Sequence, residues 1–165
     1  MKLTKLDFSV AILAGLTCLT MYFNLPVWAL FIGWAWYFAL GAKPGAFKEA
    51  IPAMLLGYVL AGVAVVVYAA SGHQMIALVL IVAVTVFLIM LSLKTSVFSC
   101  SLASFNAYSC MFAGYYAGSF PKVESISLDL NNVLICVLWL VLANLLGLLC
   151  GYISVTVGNL GSKSK

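Results

Sequence analysis

Seven of the eight lysines fall in every second gap between the apolar runs of this chain, and no other feature constrains the fold as tightly. Lys2 and Lys5 precede the first run, Lys43 and Lys48 follow the second, Lys94 follows the fourth, and Lys163 and Lys165 close the chain. Lys122 stands alone in the gap after the fifth run, beside Glu124 and Asp129. The other gaps of that parity, around Asn24 and from Ser71 to Gln74, hold no lysine. Membrane proteins collect lysine in their cytoplasmic loops, so the alternation predicts six transmembrane helices with both termini cytoplasmic.

Composition agrees with a life in lipid. Apolar residues make up 65% of the chain and charged residues only 7%, against roughly 25% charged in an ordinary soluble domain. Six helices of about 20 residues each consume the 165 residues and leave no room for a catalytic or binding domain outside the bilayer. The expectation is one all-α polytopic membrane domain over residues 1–165, with halves at 7–70 and 75–155 and a cytoplasmic tail at 156–165. The net charge of +4 comes from lysines at helix ends, so it points to anionic lipid and away from nucleic acid. Lys2 and Lys5 before an apolar stretch also resemble a signal peptide. Asp7 and the lack of a small-x-small cleavage site argue instead for a retained helix.

Turn residues divide the runs. The spans are expected at Asp7 to Phe23, then to Leu40, Ile51 to Ala70, Met75 to Leu93, Val97 to Gly118 and Asn132 to Val155. Pro26 is placed in the first turn of the second helix and Asn131 as the N-cap of the sixth. Laid over each other, the halves match. Phe31-Ile32-Gly33-Trp34 pairs with Phe112-Ala113-Gly114-Tyr115, and the row Ala53, Gly57, Ala61 pairs with Ala143, Gly147, Gly151. Three spans per half is an odd number, so the halves enter from opposite sides, a three-plus-three inverted repeat of the kind transporters use. Small residues four apart share a helix face and let backbones approach, so both rows are read as helix packing.

No Asp, Glu, Lys, Arg or His falls near mid-span, which excludes a proton relay or voltage sensor built on buried charge. With no in-span base to activate a nucleophile, an enzyme is not expected. The five cysteines, Cys18, Cys100, Cys110, Cys136 and Cys150, form no C-x-x-C pair and read as small hydrophobes. Neither metal nor cofactor is expected. His73 is a loop residue or an external pH sensor.

The polar constellation is in the fifth span. Ser92, Ser96, Ser99, Ala103, Asn106, Cys110 and Gly114 recur at steps of three and four and therefore form one stripe along a helix. An amide cannot face hydrocarbon unpaired. Two readings stand, interhelical hydrogen bonding and the lining of a solute path, with Ser96, Ser99, Ala103, Asn106, Cys110 and Gly114 as the pore-lining candidates. The aromatic clusters, Trp34, Trp36, Tyr37 and Phe38 in the second span and Tyr108, Phe112, Tyr115 and Tyr116 in the fifth, also admit two. They are interfacial belts, or Trp34, Tyr37, Phe112 and Tyr115 form a pair of constrictions related by the repeat.

Phe31-x-Gly33 running to Tyr37-Phe38-Ala39, the loop with Gly45 and Lys48, Phe112-x-Gly114, and Gly147-x-x-x-Gly151-Tyr152 together resemble the YcdZ-like bacterial inner-membrane proteins, a domain-of-unknown-function family. The resemblance implies a small polytopic protein of a bacterial inner membrane and brings no assigned substrate or catalytic residue. The expected function is a passive channel or facilitator for a small, mostly neutral solute, working as a homo-oligomer in the lipid bilayer. The alternative is a non-transporting membrane protein that assembles with or regulates a partner complex.

Overall fold

Thr4 opens the first helix of the computed structural model, which describes residues 3–117 and 130–160. The Thr4 side chain accepts from the Asp7 backbone N–H, and the Asp7 carboxylate accepts from the Thr4 N–H at 2.6 Å. This reciprocal cap satisfies two otherwise orphaned donors and starts α1 at Lys5, ahead of the Asp7 expected from hydropathy. Six α-helices and one 3-10 helix follow among the described residues, with no strand. They are α1 (Lys5–Thr17), a 3-10 helix (Cys18–Phe23), α2 (Val27–Ala39), α3 (Gly45–Ala70), α4 (Met75–Ser92), α5 (Ser101–Ala117) and α6 (Leu130–Gly158). Lys2, the loop bearing Lys122, Glu124 and Asp129, and the tail with Lys163 and Lys165 lie outside the described residues.

Four of these segments are long and apolar enough to cross a membrane: α1 with its 3-10 extension, α3, α4 and α6. The other two are shorter than expected. Asn24 in the left-handed conformation (φ 56°) turns the chain, and Pro26 stands at the N-cap of α2 instead of inside its first turn. That helix has 13 residues. The fifth helix begins at Ser101, four residues later than Val97, and has 17. In contrast, α3 and α6 run to 26 and 29 residues. The third helix begins at Gly45, takes in Lys48 and Glu49 ahead of the expected Ile51, and carries Pro52 inside it. The described part of the sixth begins at Leu130, so Asn131 lies within the helix and not ahead of it.

The helices pair across the sequence halves. The most extensive contacts are α2 on α6 and α5 on α3; α1 lies on α6 as α4 lies on α3. Each half thus packs its first two helices on the third helix of the other half. Glycines make this possible. A Cβ added at Gly147 would be driven into the carbonyl oxygen of Leu30, and one at Gly57 into that of Ser104. The peripheral helices bury little: Ser9 and Thr17 on α1, Thr85 and Ile89 on α4. Their other faces expose Ile12, Leu16, Val79 and Phe87, as lipid-facing surfaces do.

Candidate functional site

The two longest helices meet at their midpoints through a pair of polar side chains. Tyr58 follows Gly57 on α3, and Asn144 follows Ala143 on α6, so each stands beside a small residue that lets a neighbouring helix approach. The Tyr58 hydroxyl donates to Asn144 Oδ1. Asn144 Nδ2 donates to the Ala29 carbonyl oxygen of α2 at 2.7 Å. The Cys110 thiol of α5 lies beside the Tyr58 hydroxyl, and the Cys136 thiol of α6 is close by. Four helices therefore contribute to one cluster, and both Tyr58 and Asn144 are fully buried, at 0% exposure. A polar group at this depth costs about 1–3 kcal/mol when left unpaired; here the hydroxyl and the amide are paired with each other. None of the four side chains is a carboxylate, an amine, a guanidinium or an imidazole.

A cleft of about 330 Å³ between α3 and α6 ends at Tyr58, with Gly62, Val66, Val133 and Val137 among its walls. It is apolar, and it opens past Val59 and Val63, which are exposed. A second cleft, of about 300 Å³, sits on the turn before α2 and is lined by Met21 and by Asn24 to Trp28.

The sequence-derived stripe is only partly helical. Ser92 ends α4, and Ser96 and Ser99 lie exposed in the 93–100 connection, because the helix starts after them. Ala103, Cys110 and Gly114 are buried on α5, and Asn106 is half-buried. Of these, Cys110 reaches the central cluster. The aromatic candidates divide into separate groups. Trp34 is buried and stacked on Phe31 at 5.8 Å, while Tyr37 meets Phe47 and Tyr152 edge-on at 5.8 and 6.3 Å and covers Gly151. Phe112 lies against Tyr108 and Tyr116 at 5.3 and 6.1 Å, and the buried Tyr115 against Tyr116 at 5.5 Å. No ring contact joins the two groups among the described residues. The six small residues Ala53, Gly57, Ala61, Ala143, Gly147 and Gly151 are all buried; Gly57 faces α5, and Gly147 and Gly151 face α2.

Sequence reasoning missed Tyr58 and Asn144. A signal was present, since Asn144 interrupts a long apolar run and invites the same question that was asked of Asn106. Among proteins of known sequence and structure, a family model described as a protein of unknown function (DUF1097) matches residues 8–159. No curated protein and no solved structure matches the chain.

Proposed function

This chain belongs to the DUF1097 family, and from that premise we propose that it is a six-span facilitator for a small, mostly neutral solute. In this reading it is a YcdZ-like, homo-oligomeric protein of the bacterial inner membrane, with both termini cytoplasmic. Its halves form a three-plus-three inverted repeat. The crossed pairing supports the repeat, because exchanging the halves maps α2 on α6 onto α5 on α3, and α1 on α6 onto α4 on α3. If Gly57 and Gly147 correspond, then so do the backbones they touch, Ser104 and Leu30. That register differs by seven residues, about two turns, from the one that aligns Gly33 with Gly114.

The observation that carries the functional reading is the Tyr58–Asn144 cluster. Inverted-repeat transporters hold their solutes near the midplane, at the interface between repeats, and this is where a neutral donor and a neutral acceptor are paired at the midpoints of α3 and α6. A solute able to donate and accept hydrogen bonds replaces the Tyr58–Asn144 bond with one bond to each side chain, and no proton moves. The path runs from the mouth at Ser96 and Ser99 along Ala103 and Asn106 to Cys110, and the packed interior is the occluded state of an alternating cycle. The test is flux into proteoliposomes of water, ammonia, urea, glycerol and small amides, with and without a proton gradient. Native protein should pass at least one solute, independently of the gradient, and Tyr58→Phe, assayed at a temperature where both proteins stay folded, should pass it more slowly. Equal flux through native protein, variant and empty vesicles rejects transport. One observation favours the assembly protein in that event: the interior around Ala103, Ala107 and Met111 is close-packed, at 0% exposure.

A further inference from the structure

We infer that both connections at the ends of the short helices, the turn at Asn24 and the 93–100 segment, stop inside the thickness of the bilayer and are reached there by water. The inference rests on the membrane crossing and not on transport. Depth can be counted from the plane through Tyr58 and Asn144. Asn144 bonds the carbonyl of Ala29 and lies against Gly33, so the plane cuts α2 near residue 31 and Val27 is only about 6 Å above it at 1.5 Å per residue. The first helix gives an independent count. Ser9 Oγ donates to the Ser154 carbonyl at 3.0 Å, and Ser154 lies about 15 Å below the plane on the lysine-rich side. From Ser9 the chain climbs about 12 Å to Thr17 and about 12 Å more through the 3-10 helix at 2.0 Å per residue. Phe23 then stands about 9 Å above the plane. The two routes meet at Asn24, about 10 Å above it.

The opposite connection behaves the same way. Gly57 packs between Ser104 and Ala107, so Ser101 starts α5 about 6–7 Å below the plane. Thr85 bonds the Tyr108 hydroxyl at 2.8 Å, and counting on to Ser92 puts the end of α4 about 7 Å below. The 93–100 segment hangs a few ångströms beyond. The hydrocarbon extends about 15 Å to either side of its centre, and α3 reaches about 18 Å each way. Each tip therefore stops about 5 Å short of the hydrocarbon boundary.

The exposed groups on the tips cannot remain in oil. Asn24 on one side, and Lys94, Thr95, Ser96 and Ser99 on the other, are exposed, and irregular polar chain at membrane depth persists only against protein or water. Tyr22, 85% exposed beside Asn24, carries a hydroxyl with the same need for a hydrogen-bond partner at that depth. The cleft over Asn24 to Trp28 supplies space for the water. The apolar barrier between the two tips is then about 20 Å, against about 30 Å for the surrounding bilayer.

The experiment places an environment-sensitive fluorophore on Asn24→Cys, Ser96→Cys and, as a surface reference, Gly72→Cys, with the native chain as the labelling blank. Each is reconstituted into phosphatidylcholine vesicles with bromines at mid-chain or near the headgroup, and iodide is added as an aqueous quencher. The expected result is that both tip labels are quenched by iodide and also by mid-chain bromines, while the Gly72 label is quenched by iodide and by shallow bromines only. Tip labels that behave like the Gly72 label place the tips at the surface and overturn the inference. Quenching by bromines without iodide places them in dry hydrocarbon and overturns it equally. Neither reading depends on whether solute flux is found.

Discussion

The crossing of α2 on α6 and that of α5 on α3 occupy equivalent places but are built differently. On α2 and α6 both helices contribute a glycine facing the partner's backbone, Gly33 against Asn144 and Gly147 against Leu30 and Trp34. Tyr37 covers Gly151, and the Asn144 amide bonds the Ala29 carbonyl across the gap. On α3 and α5, Gly57 faces the backbone of Ser104, and opposite it Ala107 already has a methyl in the interface. The lesson is that close approach needs one helix without side chains at the crossing. The second glycine and the amide make the α2–α6 pair tighter and less forgiving.

That difference is breakable. Gly147→Leu forces a branched side chain into the α2 backbone at Leu30 and Trp34, which is itself helical and cannot give way locally, and it should cost about 3 kcal/mol, at the upper end of overpacking. Gly57→Leu meets one carbonyl and one methyl and should cost about 2 kcal/mol. Thermal unfolding in detergent reads the order, with Val66→Leu, on the wall of an open cleft, leaving the melting temperature unchanged. If Gly57→Leu proves the more damaging, the two crossings have been ranked wrongly.

Removing the amide asks whether the polar bond matters as a pair. Asn144→Leu leaves the Tyr58 hydroxyl buried without its acceptor and should cost about 1–2 kcal/mol. Tyr58→Phe strands the amide oxygen and should cost a similar amount, about 1–2 kcal/mol. The double variant should be no less stable than the worse single one, since removing both partners leaves nothing unpaired. Additive losses in a double-mutant cycle would mean that each side chain has another partner that carries its stability.

Much of this was legible in the lysines and turn residues, which divide the chain into the observed helices, the widest difference being the start of α3 at Gly45 instead of Ile51. The start of α5 was not. Lys94 to Ser101 continues the three-and-four spacing of the stripe, yet Thr95 and Ser99 donate to the carbonyls of Ser92 and Ser96 at 2.7 and 3.3 Å. Hydroxyls that bond nearby backbone offer the chain an alternative to helix, and spacing alone does not register that competition. The repeat register was ambiguous for a related reason. A shift of seven residues is about two helical turns and keeps the same face inward, so Gly33 matches Gly114 or Ala107 equally well by periodicity, and only backbone contacts choose. Tyr58 carries no signal of its own, because tyrosine is ordinary in a membrane helix; it is buried beside Gly57, where α5 approaches closely.

The smallest effects belong to the peripheral helices, and they sharpen the comparison from outside. The first helix is tied to α6 by the hydrogen bond from Ser9 Oγ to the Ser154 carbonyl at 3.0 Å, with Lys5 Nζ donating to the Leu160 carbonyl just past the end of α6 at 3.0 Å, and α4 is tied to α5 by the Thr85–Tyr108 pair at 2.8 Å. Hydrogen bonds between membrane helices average about 0.6 kcal/mol, because the separated helices find other partners. Ser9→Ala removes a donor whose acceptor is a backbone carbonyl already in the helical ladder, so nothing is stranded and the loss should be at most about 0.6 kcal/mol. Thr85→Val keeps the shape but leaves the Tyr108 hydroxyl, buried to 7% exposure, facing a methyl group. Its loss should therefore be the larger of the two, about 1 kcal/mol. Equilibrium unfolding of both variants in one detergent decides it. A larger loss for Ser9→Ala would mean that α1 depends on its serine bond more than α4 does on its threonine bond, and that the two halves differ at their rims as well as at their crossings.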